Sequence, residues 1–303
     1  MSMRILVTDG MDAGAMETLR ADGYEVAEQF YEPDRLGAAL REFDAVIIRS
    51  ATKILAPQIE AAEGGRLRLI VRAGVGMDNI DIPRAQAAGI AVKNTPRASS
   101  NAVAELTLGL MFSCARSLSA AGHTMREQKW EKKAYSKGFE LQGKTVGVIG
   151  YGRIGRLVGE KCQALGMNVV ATVHRNKPID CECQTMRFVP LDELLAVSDI
   201  ISLNAPAGER PVVTAESIAK MKDGVVIINT SRGSNIDEDA LLDALNSGKV
   251  RAAGLDVWLS EKTPNWTLAA HPAVSCTPHI GAGTQEAQAR IGAELVDIIE
   301  HFA

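Results

Sequence analysis

The sequence predicts an α/β fold made of two doubly wound parallel-sheet domains, and three observations predict it. Short β-branched runs alternate with amphipathic stretches in two separate series along the chain. That alternation is what a parallel sheet with helices on both faces requires. Some runs are apolar throughout, as at Ala45-Val46-Ile47-Ile48, which suits a strand covered on both sides. A glycine-rich turn follows the apolar run at 145–149, near the middle of the 303 residues. A complete layer structure therefore precedes it, and a hydrophobic content of 46% is enough for two cores.

In the first series, residues 5–7 read as a strand, 13–21 as a helix and 24–26 as a second strand. A third strand is expected at 45–49, a helix at 57–62, a fourth strand at 69–72 and a short one at 90–92. The pattern then changes to helical spacing over 99–118. Ala102, Val103, Leu106, Leu110 and Cys114 fall at that spacing, and Asn101 or a neighbouring serine can cap the helix. A charged connector, Lys129-Trp130-Glu131-Lys132-Lys133-Ala134-Tyr135, leads into the second series. Strands are expected there at 145–149, 168–173, 200–203, 225–229 and 252–257, with Asp237 as N-cap of a helix over 238–247. A last helix at 285–302 is expected to pack back on the first domain. The domains are then 1–97 with 283–303, and 98–282, with the two connecting segments as a hinge beside a cleft.

Composition excludes several classes of partner. The 33 basic and 37 acidic residues leave a net charge of −4, which offers no footprint for nucleic acid. Aromatic residues, at 4%, are too few for base-stacking platforms. The opening Met1-Ser2-Met3-Arg4-Ile5-Leu6-Val7 lacks the long apolar core of a signal peptide, and no apolar run reaches membrane-spanning length. A cytoplasmic protein is the expectation. The five cysteines are scattered, so reduced thiols are expected. Cys181-Glu182-Cys183, without nearby histidines, is a poor zinc site, and no metal is expected.

The segment Gly150-Tyr151-Gly152-Arg153-Ile154-Gly155 lies between a strand and a helix, with a second strand at the right distance beyond. This order reads as a Rossmann dinucleotide site. Gly150 permits the tight turn, Gly152 lets a diphosphate approach the main chain, and Gly155 lets helix pack closely on strand. The second strand ordinarily ends in an acid for the adenosine ribose. Here the chain reads Val173-His174-Arg175-Asn176-Lys177 with no acid. An acid would repel a 2′-phosphate, whereas the Arg175 guanidinium beside His174 can pair with one, so NADP is expected ahead of NAD.

Three further fragments carry reactive residue types. Ile228-Asn229-Thr230-Ser231-Arg232-Gly233 places an arginine at the carboxyl edge of a strand, where open α/β sheets bind ligands. Gly254-Leu255-Asp256-Val257-Trp258-Leu259-Ser260-Glu261 puts two acids past another strand. Thr277-Pro278-His279-Ile280-Gly281 holds a histidine between proline and glycine. Together they suit hydride transfer to a 2-keto acid. Arg232 would clamp the carboxylate, His279 would donate the proton and Glu261 would hold the imidazolium.

These fragments, with Arg72-Ala73-Gly74-Val75-Gly76-Met77-Asp78-Asn79-Ile80-Asp81, Asn94-Thr95-Pro96, Ala104-Glu105-Leu106 and Gly143-Lys144-Thr145-Val146-Gly147, carry a resemblance over essentially the whole chain. The chain resembles the D-isomer-specific 2-hydroxyacid dehydrogenases and is most similar to the D-3-phosphoglycerate dehydrogenases among them. The resemblance implies a flavodoxin-like substrate domain, a Rossmann dinucleotide-binding domain and a cleft between. It implies Arg232, Glu261 and His279 as the catalytic residues. Arg153 and Ile154 match residues at the pyrophosphate, and Asp256 matches an acid near the nicotinamide carboxamide. Asn204, Ala205, Pro206 and Thr230 complete the implied cofactor contacts. The main chain at Val75 and Gly76 matches the loop that receives the substrate carboxylate, and Arg49 and Arg72 would address an anionic far end. A homodimer through the dinucleotide-binding domain is implied too, with Lys132 and Lys133 reaching the partner subunit's site.

Some positions depart from the family pattern. Val173 stands where NAD-dependent members usually carry Asp, Lys262 follows Glu261 where proline is common, and Arg97 stands where glycine is frequent. Asn204-Ala205-Pro206 lacks a histidine often found there. Arg97 adds a third cation near the substrate loop. Regulatory serine-binding domains of longer phosphoglycerate dehydrogenases are not expected. The leading expectation is interconversion of 3-phospho-D-glycerate and 3-phosphohydroxypyruvate. The alternatives are an NADPH-dependent hydroxypyruvate/glyoxylate-type reductase and, from a different class, a dinucleotide-sensing binding protein.

Overall fold

The computed structural model describes residues 2–172 and 186–302. The chain divides into two compact units, Met1–Ser99 with Ala282–Ala303, and Ser100–Gly281. The divisions fall at 99/100 and 281/282, against the expected 97/98 and 282/283.

The first unit runs β1 (Arg4–Val7), α1 (Ala13–Ala21), β2 (Glu25–Glu28), α2 (Pro33–Leu40), β3 (Ala45–Ile48), α3 (Ala56–Ala62), β4 (Leu69–Arg72), α4 (Ile82–Ala87) and β5 (Ala91–Asn94). Its sheet order is β2-β1-β3-β4-β5, and every pairing is parallel. Side chains of a strand alternate between faces, so one sheet feeds two cores. Val46, Ile48 and Ile70 join Leu36, Leu40 and Ile59 of α2 and α3. Ala45, Ile47, Leu69 and Val71 face Leu19 of α1 and the last helix, Gln285–Phe302. That helix returns because Ala287, Ile291, Leu295 and Ile299 recur every four residues and are buried, each large one contributing about 1.5–3 kcal/mol. Gly292 permits the approach, since a Cβ there would lie 2.8 Å from the Ala15 Cβ.

The second unit begins with α5 (Ser100–Arg116) and α6 (Leu118–Arg126). It continues β6 (Thr145–Ile149), α7 (Arg153–Ala164), β7 (Asn168–Thr172), β8 (Arg187–Phe188), α8 (Leu191–Val197), β9 (Ile200–Leu203) and α9 (Ala215–Lys220). It ends β10 (Val225–Asn229), α10 (Glu238–Ser247), β11 (Val250–Leu255), α11 (Trp266–Ala269) and β12 (Val274–Cys276). The order β12-β11-β10-β9-β6-β7-β8 is again wholly parallel. Strand order reverses at β6, with β7 on one side and β9 on the other. The crevice outside the carboxyl ends of strands at such a reversal is where open α/β sheets take ligands.

The differences from expectation have local causes. Helix α2 was not expected, because Gly37 sits in its interior; a Cβ there would lie 2.6 Å from the Ala61 Cβ, so the glycine serves α2–α3 packing. Helix α4, the short helices α8, α9 and α11, and the edge strand β12 were also missed, being too short for a periodic signal. The long helix expected over 99–118 stops at Arg116 because Ser117 takes a left-handed conformation, φ +53°. Asn101 lies inside that helix and donates to Glu105. Strand β2 runs 25–28 rather than 24–26, β5 runs 91–94 rather than 90–92, and β11 runs 250–255 rather than 252–257. Asp237 does cap α10, accepting from the Ala240 N–H at 3.1 Å.

Asp44, buried at the start of β3, accepts from the Arg4 N–H at 2.9 Å and from Arg66 Nη2 at 2.9 Å. Burial works to raise its pKa, but the bonds from Arg66 and Arg4 and the charges of Arg66 and Arg68 outweigh it and hold the carboxyl below its usual value. A carboxyl depressed in the folded state stabilises above its unfolded pKa and ceases to do so as pH falls through the folded value. Asp44→Asn is therefore expected to lower stability at neutral pH by about 1–2 kcal/mol. The loss relative to wild type should shrink toward pH 3 in urea titrations.

Candidate functional site

Two loops meet at the strand-order reversal. Gly150 leaves β6 at φ +91°, and a Cβ there would lie 2.6 Å from the Ala205 main-chain N. The loop after β9, Asn204-Ala205-Pro206, thus lies directly against the turn after β6. Gly155 faces the Gly150 carbonyl, where a Cβ would sit at 2.1 Å. The chain's own packing therefore requires both glycines. Gly152 is different: a Cβ there meets no atom within 4 Å. It is also the N-cap of α7 and offers no side-chain bond to the first-turn N–H groups. These N–H groups and the α7 dipole suit a phosphate that approaches the bare main chain. Asn204 Oδ1 is buried with no partner among the described residues, while its Nδ2 bonds Ser202 Oγ at 3.0 Å. The residues present therefore fit a dinucleotide diphosphate. Arg153 is exposed and Ile154 packs at the edge of the core beneath. Thr230 is buried and bonded through its hydroxyl to Thr107 at 2.8 Å. Val173, His174 and Arg175 lie outside the described residues.

The second group assembles at the carboxyl ends of β10, β11 and β12. Arg232 follows β10, and its Nη1 donates to the Ser231 carbonyl at 2.6 Å. A Cβ on Gly233 would lie 2.0 Å from the Trp258 carbonyl carbon. The Arg232 turn is thereby pressed against the segment that leads to Glu261. Glu261 Oε1 meets His279 Nδ1 at 2.5 Å, with both side chains part-exposed. His279 holds φ +53°, a left-handed conformation that costs a non-glycine residue about 1–2 kcal/mol.

Asp256 maintains that conformation. It is 1% exposed. Its Oδ1 accepts from Thr277 Oγ1 at 2.6 Å and from the Ile280 N–H at 2.8 Å, and its Oδ2 accepts from the Gly281 N–H at 2.9 Å. Its main-chain carbonyl accepts from the His279 N–H at 2.8 Å. The carboxylate is thus committed to the 277–281 turn.

Arg49, Arg72, Val75 and Gly76 belong to the first unit. The loop after β3 is built by two polar side chains that the sequence reading did not single out as site residues. Asp9 accepts from the Arg49 N–H at 2.7 Å and from the Thr52 N–H at 3.1 Å. Asn79 Nδ2 donates to the Arg49 carbonyl at 2.7 Å and the Thr52 carbonyl at 2.6 Å. Arg72 instead turns onto its own loop, donating to the Ala73 carbonyl at 3.0 Å and lying where a Gly74 Cβ would be. Arg97, expected as a third cation by the substrate loop, lies 3.7 Å from Glu294 on the last helix. Lys132 and Lys133 are exposed on the connector.

Burial pushes the Cys114 and Cys162 thiols up to about 12, so both stay protonated at neutral pH. Cys181 and Cys183 lie outside the described residues. Among the described residues no group of three or more His, Cys, Asp or Glu could hold a metal ion. No helix among them is long and apolar enough to cross a membrane.

A parallel sheet with a glycine cradle at its strand reversal, and an Arg and a His–Glu pair at neighbouring strand ends, defines a dinucleotide-binding α/β oxidoreductase. The family profile for D-isomer specific 2-hydroxyacid dehydrogenase, NAD binding domain, matches residues 108–281. The chain is 46% identical to a hydroxypyruvate reductase of Thermotoga maritima, covering 98% of this chain and 97% of that one. It is 39% identical to a D-3-phosphoglycerate dehydrogenase of Mycobacterium bovis over 97% of this chain, spanning 56% of that relative's length. A glyoxylate reductase structure from Paecilomyes thermophila superposes with a TM-score of 0.88 at 32% identity, covering 99% of this chain and 94% of that one. The chain belongs to the D-isomer specific 2-hydroxyacid dehydrogenase family. It is accordingly an oxidoreductase acting on CH–OH donors, with an NAD(P)-binding domain.

The contact at Gly233 is directly testable. Gly233→Ala forces a methyl group into the Trp258 carbonyl and is expected to cost about 1–3 kcal/mol of stability. Turnover should fall with it, whereas Gly152→Ala should leave the melting temperature nearly unchanged and weaken nucleotide binding.

Proposed function

We propose that this chain interconverts a short anionic D-2-hydroxy acid and its 2-keto acid, with Arg232, Glu261 and His279 carrying the chemistry. The observation that supports this most is the 2.5 Å His279–Glu261 pair, on a turn after β12 that Asp256 holds from the end of β11, the strand beside the one that leads to Arg232. A bound nicotinamide supplies the hydride in reduction and accepts it in oxidation. Arg232 offers a guanidinium fork to the substrate carboxylate. With Nδ1 on Glu261, His279 has Nε2 left to give a proton to the C2 oxygen in reduction, or to take it back in oxidation. The Glu261 carboxylate orients the ring through Nδ1. Val75 and Gly76 present main-chain N–H groups at a loop of the first unit, to which the substrate carboxylate is assigned.

The acid proposed is 3-phospho-D-glycerate with 3-phosphohydroxypyruvate as its partner. Arg49 supports this, because its guanidinium has no hydrogen bond or ion pair among the described residues and its loop is fixed by Asp9 and Asn79. A second reading, reduction of hydroxypyruvate or glyoxylate, is favoured by the bond of Arg72 to its own loop and by the 46% identity to a hydroxypyruvate reductase. Hydroxypyruvate and 3-phosphohydroxypyruvate share one three-carbon frame and differ in the phosphate, while glyoxylate lacks the third carbon. NADP(H) is proposed ahead of NAD(H), on the absence of an acid and the presence of Arg175 after β7. A homodimer through the dinucleotide-binding unit is proposed on the exposed Phe112, Leu118, Met125 and Trp130 of α5, α6 and the connector.

A kcat/KM matrix of NADH and NADPH against phosphorylated and unphosphorylated keto acids is the test. Preference for 3-phosphohydroxypyruvate that Arg49→Ala abolishes supports the first reading; equal use of hydroxypyruvate by wild type and Arg49→Ala supports the second. Arg175→Ala is expected to lower kcat/KM for NADPH by about tenfold or more and to leave NADH within twofold. His279→Asn is expected to lower kcat by about 10²–10⁴ while nucleotide still binds. Full turnover in that variant contradicts the mechanism.

A further inference from the structure

Asn235 is completely buried, in the short turn that follows Arg232. Its Nδ2 donates to the Ala205 carbonyl at 3.0 Å and to Ser231 Oγ at 3.0 Å, while its Oδ1 is buried with no partner among the described residues. The amide's orientation is forced, because the Ala205 carbonyl can only accept. Burying an amide with half its capacity unmet costs free energy that an apolar side chain of similar size avoids. The residue therefore answers to a need other than core packing.

The bonds run on in one direction. Ser231 Oγ accepts from Asn235, so its own proton goes to Asn229 Oδ1, at 2.8 Å. Asn229 Oδ1 also takes the Ser231 N–H at 3.0 Å, and Asn229 Nδ2 donates to the Arg232 carbonyl at 2.8 Å. That carbonyl receives a second bond, from the Asn235 N–H at 3.1 Å. Asn229 is 1% exposed and Ser231 is buried as well. Three buried side chains thus join Ala205, in the loop pressed against Gly150, to the main chain of Arg232.

We propose that Asn235 is a positioning residue, which acts through Ser231 and Asn229 to couple the 204–206 cofactor loop to Arg232, so that an occupied nucleotide site orders the arginine for the keto-acid carboxylate. This rests on the reading of Arg232 as the carboxylate clamp. A shift of the Ala205 carbonyl pulls on an amide that has no slack, since Asn235 is closed in by protein on every side. Such a coupling is reciprocal between the two ligands.

The test uses the full chain with Asn235→Leu, glyoxylate and hydroxypyruvate as keto acids, and NADPH affinity by fluorescence with and without oxalate. The expected result is a KM for the keto acids raised about tenfold, the size of one buried hydrogen bond, with kcat within about threefold. NADPH affinity alone should be unchanged, and its enhancement by oxalate should be lost. Ser231→Ala cuts the same chain at its midpoint and is expected to reproduce the KM change, so the proposal is tested even where Asn235→Leu folds poorly. Combined, the two substitutions should cost no more than one. Unchanged KM and intact oxalate enhancement in the folded variants overturn the proposal. So does a parallel loss of NADPH affinity and melting temperature, which marks a structural role alone. Arg232→Lys in the same assays reports on the underlying reading: KM rises there whether or not the relay exists.

Discussion

The site depends on the buried carboxylate of Asp256. Four bonds from residues 277–281 end on this one residue, three on its side chain and one on its carbonyl. They hold His279 in a backbone conformation that the residue does not favour on its own. Without that constraint the histidine's main chain relaxes toward ordinary φ values, and the 2.5 Å contact with Glu261 has no fixed partner. Strain at a functional residue persists where the surroundings over-determine it, and here they do so through hydrogen bonds to a group that water cannot reach.

The rest of the second unit brings loops close enough for such contacts to matter. Gly150 admits the 204–206 loop, Gly233 admits the segment before Glu261, and Gly155 admits α7 against the β6 turn. Each is a position where a methyl group would strike main chain, which cannot rotate away. Gly152 alone among the fingerprint glycines faces open space, which separates a glycine needed by the fold from one suited to a ligand. The parallel strand order then places all the resulting loops at one edge of the sheet.

Much of this was legible in the sequence, because strands buried on both faces are continuous apolar runs and the last helix repeats apolar residues every four positions. The Arg232, Glu261 and His279 fragments stood out because reactive types followed strand ends. What escaped was tertiary in origin. Gly37 disguised α2 because its reason is contact with Ala61, which lies 24 residues further along the chain. Ser117 breaks a helix at a residue with no breaking propensity of its own. Asp9, Asn79 and Asn235 are polar residues near strand ends, a common pattern, and only the folded loops show which carbonyls and N–H groups they meet. Arg97 looked free in sequence and meets Glu294 through the return of the last helix.

The most direct measurement is single-turnover reduction of a keto acid by Asp256→Asn loaded with NADPH, beside its NADPH affinity. An amide in place of the carboxylate turns one acceptor into a donor facing the N–H groups of the 277–281 turn. The account predicts nucleotide affinity within a few-fold of wild type and a single-turnover rate lower by about a hundredfold or more, since misplacing a reacting group by about 1 Å has that effect. Hydride transfer at the wild-type rate in a folded, NADPH-saturated Asp256→Asn protein contradicts it.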